Sequence, residues 1–374
     1  MTEFTIKPVT TPEERELFLD LPAIIYEKDP NYVAPLRSSI QQQLAPNNPF
    51  TEYGKFQQFL ALSTSGKPLG RIVAAINQRL IEKENRQVGL FGYFECVEDD
   101  KIAKTLLDTA CEWLKDKGMN LARGPINLST HNSCLLLVDG FDSPPYFMMP
   151  YNPSYYPQLI TEAGWQKAKD AYAYDFPVYN HQLTAKFKKG YNIAHKSGIT
   201  FRSLGLKGKK FEEDCRIIYN LFTTTFANNW SSSPRSEAEF IAEAKDLQQL
   251  GDPNIFIIAE DKGKAIGLFM GLPDYSVALK EVDGKLDLWG IIKFLWYKRK
   301  VNRLRVLAIG CLPEYRRQMA MVGLIYLGME GAKKSKYQQA ELSWVWEDNF
   351  PSRKLIEASG GKIYKTYRVY EKEL

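Results

Sequence analysis

The sequence has no long apolar run and almost no surplus charge. No run approaches the roughly 18 apolar residues that a membrane-spanning helix requires, and the N-terminal stretch MTEFTIKPVTTPEER has no apolar core of the signal-peptide kind. Lysine and arginine number 49 against 44 acidic residues, and the net charge of +5 is too small for 374 residues to demand a nucleic-acid partner. We therefore expect a soluble cytoplasmic protein without a transmembrane segment.

Residues with metal-binding or redox chemistry are also scarce. The five cysteines are widely separated and form no C-x-x-C pair, which excludes a disulfide scaffold and a zinc site of the usual spacing. The three histidines, His131, His181 and His195, are isolated, so no metal site is predicted. Walker, Gly-x-Ser-x-Gly and dinucleotide-binding patterns are absent, which removes most other classes of enzyme.

Residues 305–349 contain the pattern from which chemistry can be argued. Val306 to Cys311 is an apolar run of strand length that ends at Pro313, and residues 340–345 form a second such run. Between them, from Tyr315, apolar residues recur at the three- and four-residue steps of a helix. A helix that starts directly after a buried strand presents unpaired N–H groups and positive charge, so this start predicts a phosphate site.

The residues at this helix start resemble the pyrophosphate loop of the GNAT superfamily of acyltransferases. The family pattern Arg/Gln-x-x-Gly-x-Gly/Ala falls on the six residues Arg316, Arg317, Gln318, Met319, Ala320 and Met321. Both of its small positions carry methionine here, although glycine is the residue that lets a backbone approach a phosphate closely. The resemblance covers most of residues 199–374 and implies that acetyl-CoA or another acyl-CoA is the co-substrate.

The resemblance continues downstream and supplies further candidates. Asn349, followed by the helical pattern SRKLIEASGG, resembles the asparagine and last helix of the family. The tyrosine that usually protonates the leaving thiolate has no counterpart, because its position falls on Ile356 or Glu357. In the family the two splayed strands hold pantetheine through backbone groups, which here implies Ile309 and Cys311. Glu347 and Asp348 are candidates for the catalytic base, with capping of the next helix as the alternative role.

The same order of elements occurs twice along the chain. Gly66 matches Gly263 (263 − 66 = 197) and Asn152 matches Asn349 at the same offset (349 − 152 = 197), and Gly164 matches Gly361 likewise (361 − 164 = 197). We interpret the chain as an α/β fold with mixed (α+β) sheets in two tandem GNAT-like domains, residues 1–177 and 178–374. The first, with the acidic VEDDK before its main helix, is predicted to be degenerate and non-catalytic, because those charges repel pyrophosphate.

Each domain contains an addition to this pattern. The first has a long insert, residues 124–157, which is either functional or an aromatic plug at the domain interface. Candidate acceptor-binding residues are Trp344 and Trp346 near the end of the second strand and His131, Tyr146 and Tyr151 in the insert. The second has LWGIIKFLWYKRKVNRLR, a basic amphipathic helix. We expect its apolar face to pack on its own domain; the alternatives are binding to a membrane or to an acidic acyl donor.

Three functions agree with these residues. The first is an acyl-CoA-dependent N-acyltransferase, in particular an N-acetyltransferase, acting on a small-molecule or peptide amine. The second resembles the Fem family of aminoacyl transferases, which also have tandem GNAT-like domains and use charged tRNA. The third is a non-catalytic binding protein on a GNAT scaffold. The acceptor and the oligomeric state do not follow from the sequence.

Overall fold

The N-terminal half of the chain contains seven strands and five helices. The computed structural model describes residues 3–374, apart from the side chains of His181 and Arg316. The strands are β1 (Phe4–Pro8), β2 (Gly54–Ser63), β3 (Pro68–Asn77), β4 (Val88–Cys96), β5 (Leu121–Gly124), β6 (Leu136–Asp139) and β7 (Gln166–Pro177). The helices are α1 (Pro12–Ile25), α2 (Arg37–Gln43), α3 (Gln78–Glu84), α4 (Asp100–Asp116) and α5 (Tyr156–Glu162).

The C-terminal half repeats this succession with additional helices. Its strands are β8 (Ile199–Ser203), β9 (Phe256–Asp261), β10 (Lys264–Pro273), β11 (Arg303–Cys311), β12 (Gln339–Trp346) and β13 (Lys362–Glu373). Its helices are α6 (His181–Lys196), α7 (Gly208–Thr225), α8 (Glu237–Leu247), α9 (Ser276–Lys280), α10 (Leu288–Lys298), α11 (Ala320–Lys334) and α12 (Phe350–Ala358). Most of the segment that joins the halves, between β7 and β8, is the helix α6.

All these strands belong to one mixed sheet with a symmetric order. The order is β1-β2-β3-β4-β5-β13-β7-β12-β11-β10-β9-β8, and β6 pairs with β13 outside this path. Counted inward from the two edges of the sheet, the strands form pairs of sequence counterparts. The pairs are β1 and β8, β2 and β9, β3 and β10, β4 and β11, β5 and β12, and β13 and β7. The predicted mixed α/β fold in two tandem units is confirmed, and the symmetry supports the interpretation of a duplication.

The two central strands are exchanged between the halves. β13, from the C-terminal half, lies between β5 and β7, while β7, from the N-terminal half, lies between β13 and β12. The apolar core of the first half accordingly includes Tyr367, Val369 and Tyr370, and that of the second half includes Phe176. A domain boundary at residue 177 stays a prediction, and in space the strands on either side of it interlock.

Local sequence signals explain many of the element boundaries. Thr11 caps α1: its hydroxyl accepts from the Glu14 N–H at 3.2 Å, and the Glu14 carboxylate accepts in return from the Thr11 N–H, as the capping pattern predicts. Gly66 and Gly263 turn the hairpins β2–β3 and β9–β10 with φ of +80° and +78°. These two glycines occupy equivalent turns, as their spacing predicts.

Other expected equivalences are displaced. Gly164 has a φ of +86° after α5, and the residue with the matching conformation after α12 is Gly360, at +90°, one position before the expected Gly361. Asn349 is the N-cap of α12, whereas Asn152 lies four residues before α5 and binds the backbone of Leu137. The offset of 197 residues therefore does not hold across the whole unit.

The helix α10 differs most from its sequence-based expectation. The residues expected to pack inward are instead exposed, among them Leu288 at 74%, Leu295 at 55% and Trp296 at 61% of their surface. The expectation that this apolar face packs on its own domain is wrong. Within residues 3–374 no helix is long and apolar enough to cross a bilayer.

Candidate functional site

The parallel strands β11 and β12 diverge and form a wedge in the second half of the sheet. They pair only from Arg303–Gln339 to Val306–Leu342. Beyond these residues β11 pairs with β10 on its other side, and β12 pairs with β7. The facing backbone edges of residues 307–311 and 343–346 are therefore separated from each other, and this opening is the central feature of the site.

The equivalent wedge in the first half is closed by the chain itself. β4 and β5 pair only from Val88–Leu121 to Leu90–Arg123, but the Ile126 N–H then donates to the Phe91 carbonyl at 2.7 Å. The Tyr93 N–H donates to Asn127 Oδ1 at 2.8 Å. Gly92 allows this approach, since a Cβ there would lie 2.5 Å from the Ile126 carbonyl oxygen. The start of the insert thus occupies the space that remains open between β11 and β12.

The N-termini of the helices beside the two wedges also differ, because a side chain caps the helix of the first half and no described side chain caps that of the second half. Asp99 caps α4, its carboxylate accepting from the N–H groups of Lys101 and Ile102 at 3.0 and 3.1 Å. At α11 the N-cap is Met319, and no side chain in the described part of the protein caps that end. An uncapped helix start retains N–H donors for an anion.

The turn before α11 corrects one sequence expectation. The helix starts at Ala320 rather than at Tyr315, because Pro313–Gln318 forms a 3₁₀ turn. Met319 joins the two segments with φ 61° and ψ 17°, the left-handed region that favours glycine. The backbone therefore keeps the shape that a glycine would favour, although the residue is methionine.

Beneath the wedge lies a cleft of about 200 Å³ with mainly apolar walls. β11, β12, α6, α11, α12 and the end of β7 all contribute, through residues such as Phe176, Phe187, Val306, Ile325, Leu342 and Leu355. The polar side chains among its described lining residues are Ser343, Asn349, Ser352 and Ser359. Such walls suit an alkyl or pantetheine-like chain better than a charged or heavily hydroxylated ligand.

The predicted coenzyme residues fall into three groups around this cleft. Ile309, Met321 and Asn349 line it. Arg317 and Gln318 are exposed on the turn before α11, and the Arg316 side chain lies outside the described part of the structure. Ala320 and Cys311 are buried, at 0% and 1% exposure.

The two acidic candidates for the base are both held in ion pairs. Glu347 Oε2 lies 2.6 Å from Lys167 Nζ, and Asp348 Oδ2 lies 2.6 Å from Lys169 Nζ. Neither lies among the lining residues of the cleft. Their expected alternative role is not seen either, since the side chain that caps α12 is that of Asn349.

The predicted acceptor-binding residues are dispersed. Trp344 lines the cleft, whereas the Trp346 ring packs on Trp230 with ring centroids 5.2 Å apart. His131 Nε2 donates to the Ser233 carbonyl at 2.8 Å, and burial lowers the pKa of its imidazole to about 4. Tyr151 donates to the Asp29 carboxylate at 2.9 Å.

Tyr146 belongs to the part of the insert that covers the second half. Its ring lies 4.5 Å from the Arg303 guanidinium, and the next residue, Phe147, donates its N–H to Asp274 Oδ1 at 2.8 Å. The Phe147 carbonyl accepts from Arg305 at 3.1 Å. The insert therefore forms an interface with the second half, and it covers a buried polar cluster there.

This cluster is centred on Glu341, which the sequence analysis missed. The Glu341 side chain is fully buried in β12 and accepts hydrogen bonds from the hydroxyls of Ser343 and Tyr364. The Arg305 guanidinium donates to Ser343 Oγ at 2.7 Å and lies 3.8 Å from the Glu341 carboxylate. Burial raises the pKa of Glu341, and Arg305 offsets part of that rise.

The cluster has a sequence signal and a route to the cleft. Glu341 stands between Ala340 and Leu342 in a strand with mainly apolar residues, where a carboxylate is expensive to bury and thus suggests a function. Ser343 connects it to the wedge, because Ser343 both binds Glu341 and lines the cleft.

Comparisons with known proteins agree with this architecture. The profile of the acetyltransferase (GNAT) family matches residues 215–360. The chain is 32% identical to the bacterial ceramide synthase of Caulobacter vibrioides, over 100% of this chain and 98% of that protein. It is 29% identical to protein YghO of Escherichia coli, over 96% and 92% of the two chains.

A solved structure shows the same paired arrangement. A tandem GNAT protein from the clavulanic acid biosynthesis pathway superposes with a TM-score of 0.59 at 11% identity, over 99% of this chain and 98% of that chain. At this identity the similarity concerns the fold alone. Together with the family profile and the full-length relatives, it shows that the chain belongs to the GNAT superfamily of acyltransferases.

Proposed function

We propose that this protein transfers a fatty acyl group from an acyl-CoA to the primary amine of a long-chain amino alcohol, which makes it an N-acyltransferase. The observation that carries the proposal is the apolar cleft that opens from the wedge between β11 and β12. Polar side chains are few along its walls, so a chain longer than acetyl gains free energy there by leaving water, roughly 0.8 kcal/mol for each methylene buried. The name of the ceramide synthase relative supports the same class, because ceramides are amides of this kind.

The residues of the second half fit an acyl-CoA, although two methionines stand in the phosphate loop. The separated backbone edges of β11 and β12 suit the amide groups of pantetheine, and the uncapped start of α11 suits pyrophosphate. Arg316 and Arg317 add positive charge in the sequence of that turn. In the first half the closed wedge and the Asp99 cap oppose both interactions.

The proposed chemistry places the base in the Glu341 cluster. When bound, the acyl-CoA supplies a thioester whose carbonyl carbon the acceptor amine attacks, so that the C–N bond forms and the C–S bond breaks. Ser343 accepts the amine proton and passes its own proton to Glu341, while Arg305 fixes the orientation of the serine hydroxyl. Burial helps Glu341 in this role, because a raised pKa makes the carboxylate a stronger base.

The leaving thiolate must also take up a proton. Tyrosine is missing from the described residues that line the cleft, and the hydroxyls there belong to Ser343, Ser352 and Ser359. This observation favours a second candidate function, a binding protein for acyl-CoA or a related lipid that performs no transfer. N-acetyl transfer would use the same groups but leave most of the cleft empty.

We place the reaction in the cytoplasm, and the cysteines support that location. Cys96, Cys111, Cys134 and Cys215 are buried free thiols, as expected in a reducing compartment. Among the described residues no cluster of three or more histidine, cysteine, aspartate or glutamate side chains is arranged for a metal.

A matrix of donors and acceptors tests the proposal. The purified protein is incubated with acetyl-, octanoyl- or palmitoyl-CoA, each with sphinganine, ethanolamine or spermidine, and thiol release is followed while mass spectrometry identifies the amide. We expect N-acyl sphinganine from the longer donors. Amide formed only from acetyl-CoA would contradict the chain-length assignment, and saturable acyl-CoA binding without any amide would establish the binding protein instead.

A further inference from the structure

The helix α10 presents an apolar surface that is covered by no part of the described chain. Its exposed side chains, here called the α10 face, are Leu288, Trp289, Ile291, Ile292, Leu295 and Trp296, and they are between 45% and 74% exposed. At about 100° per residue they cover an arc of roughly 160°, within which no residue of Leu288–Lys298 is charged. A helix on the water-exposed surface of a protein would have polar residues along this arc, so the α10 face is suited to contact a partner other than water.

The opposite side of α10 fixes the helix to the protein. Phe294 packs on Tyr275 with ring centroids 5.7 Å apart, and Tyr275 packs in turn on Phe147 of the insert at 5.8 Å. Asp287 caps the helix, accepting from the Gly290 N–H at 2.7 Å. The α10 face is therefore held outward by a packed inner side and is not the exposed side of a frayed segment.

Positive charge surrounds the α10 face. Residues 285–300 contain five basic residues and one acidic residue, a local net charge of +4 (5 − 1 = 4). The acidic residue, Asp287, is used by the helix cap. Lys293 borders the face, Arg299 and Lys300 follow it, and all three are exposed, with no acidic partner among the described residues.

We propose that the α10 face docks on a membrane surface that contains anionic phospholipids, with α10 lying parallel to the bilayer. Apolar side chains including tryptophan would enter the region between headgroups and acyl chains, while Lys293, Arg299 and Lys300 contact phosphates. At 11 residues the helix is about 16 Å long, which suits lying in the interface and not crossing it. The proposal concerns this surface and does not depend on the proposed reaction.

A second copy of the chain fits the α10 face less well. Two-fold packing of α10 on itself would bring the basic residues of one copy towards those of the other, and like charges at an interface are unfavourable. A negatively charged lipid surface satisfies the apolar residues and the basic residues together.

Sedimentation of the full-length protein with vesicles tests the proposal. Vesicles of phosphatidylcholine alone are compared with vesicles in which a third of the lipid is phosphatidylglycerol, at low and high salt. We expect binding to the anionic vesicles that weakens as salt screens the charges. The variant Trp289→Ser/Ile292→Ser/Trp296→Ser is expected to bind at least tenfold less, and Lys293→Glu/Arg299→Glu/Lys300→Glu roughly a hundredfold less, since each basic residue contributes about 1 kcal/mol.

Two control variants carry the same kinds of substitution at exposed positions outside α10. Tyr179→Ser/Ile193→Ser/Phe350→Ser removes three other apolar side chains that are 48–58% exposed. Lys117→Glu/Lys189→Glu/Lys209→Glu makes the same change in net charge at exposed positions away from α10. Both controls should bind like wild type. The proposal is overturned if wild-type protein ignores anionic vesicles, if a control loses as much binding as its α10 counterpart, or if the protein dimerises through α10 without lipid.

Discussion

Phe176 of β7 lies opposite Ala340 of β12 in neighbouring antiparallel strands, and both residues line the cleft. The first half of the chain thus forms part of the wall of a site whose other described elements come mainly from the second half. The first half, predicted to be non-catalytic, therefore has a direct structural role in the site.

The exchange of strands predicts that the second half does not fold alone. A fragment of residues 178–374 lacks β7, so β12 and β13 lose the strand between them. We expect this fragment to be aggregated or to unfold without cooperativity, whereas the full chain gives a cooperative transition in circular dichroism. A fragment that unfolds cooperatively and binds acyl-CoA as tightly as the full chain would contradict the prediction.

Loss of the Glu341 carboxylate should slow the reaction more than binding. We expect Glu341→Gln, which keeps the shape of the side chain, to lower kcat by about 10²- to 10⁴-fold with little change in KM, because a general base acts in the transition state. The matched control is Glu347→Gln, which removes the ion pair with Lys167 and keeps an oxygen that can accept from the Asp170 N–H. Equal losses in the two variants would remove Glu341 as the base.

The raised pKa of Glu341 predicts the form of the pH profile. The carboxylate must be deprotonated to accept a proton, so kcat/KM should increase with pH up to a pKa that lies above the ordinary value of 4.5. Tyr364→Phe removes a donor that stabilises the anion and should move this limb to higher pH. A limb that stays in place in Tyr364→Phe would mean that another group titrates.

Met319→Gly should stabilise the protein and strengthen coenzyme binding. The left-handed backbone at position 319 costs methionine about 1–2 kcal/mol, and glycine avoids this cost. Glycine also makes the unfolded chain more flexible, which offsets part of the gain. We therefore expect the free energy of unfolding to increase by roughly 0.5–1 kcal/mol. Acetyl-CoA affinity should improve by about 1 kcal/mol, the contribution of one hydrogen bond. Urea unfolding and calorimetry measure these two effects.

The control for that substitution is Met321→Gly. Position 321 lies inside α11, where glycine costs about 1 kcal/mol, so this variant should be less stable than wild type. If both glycine variants behave alike, the backbone conformation of Met319 is not the cause.

Acyl-CoA should bind through the second half only. We expect Arg316→Glu/Arg317→Glu to abolish the rise in Tm that acyl-CoA causes, because reversed charge at this turn repels pyrophosphate. Glu98→Gln/Asp100→Asn, at the start of α4 in the first half, should leave the Tm shift intact. An unchanged shift in the arginine variant would disprove the assignment.

His131 predicts a loss of stability in mild acid. Its pKa is about 4 in the folded protein against an ordinary 6.5, so the unfolded chain takes up the proton first as the pH falls. This contribution to the free energy of unfolding is complete above pH 6.5 and decreases by up to about 3 kcal/mol by pH 4. Urea unfolding of wild type and His131→Gln between pH 7 and pH 4 should show a smaller decrease in the variant, and parallel curves would contradict the prediction.

Local patterns in the sequence predict the elements well, because the residues that cause them are close together. The Thr11 capping box, the hairpin glycines Gly66 and Gly263, and the final strand are of this kind. The pairing of that final strand with β5 and β7 depends on contacts between residues that are distant in the sequence. The alternation of its side chains is the same whichever strands lie beside it, so the sequence does not identify those neighbours.

The candidate site was predictable in outline only. The position of the turn that we predict to bind phosphate follows from the strand–helix–strand pattern, whereas the start of α11 at Ala320 depends on the 3₁₀ turn before it. Glu341 was missed because the burial of its side chain arises from the insert, Arg305 and Tyr364, which no local pattern connects. The α10 face was misjudged because periodicity identifies an apolar side but not whether anything covers it.

The exchange of β7 and β13 also has a consequence for synthesis on the ribosome. In the completed sheet β5 lies between β4 and β13, and β13 is formed by Lys362–Glu373 of the second half. A nascent first half therefore cannot complete its sheet or its core before residues 362–373 are translated, and until then it has an open strand edge. A premature stop codon shortly after Gly361 would damage the half of the molecule that was made first.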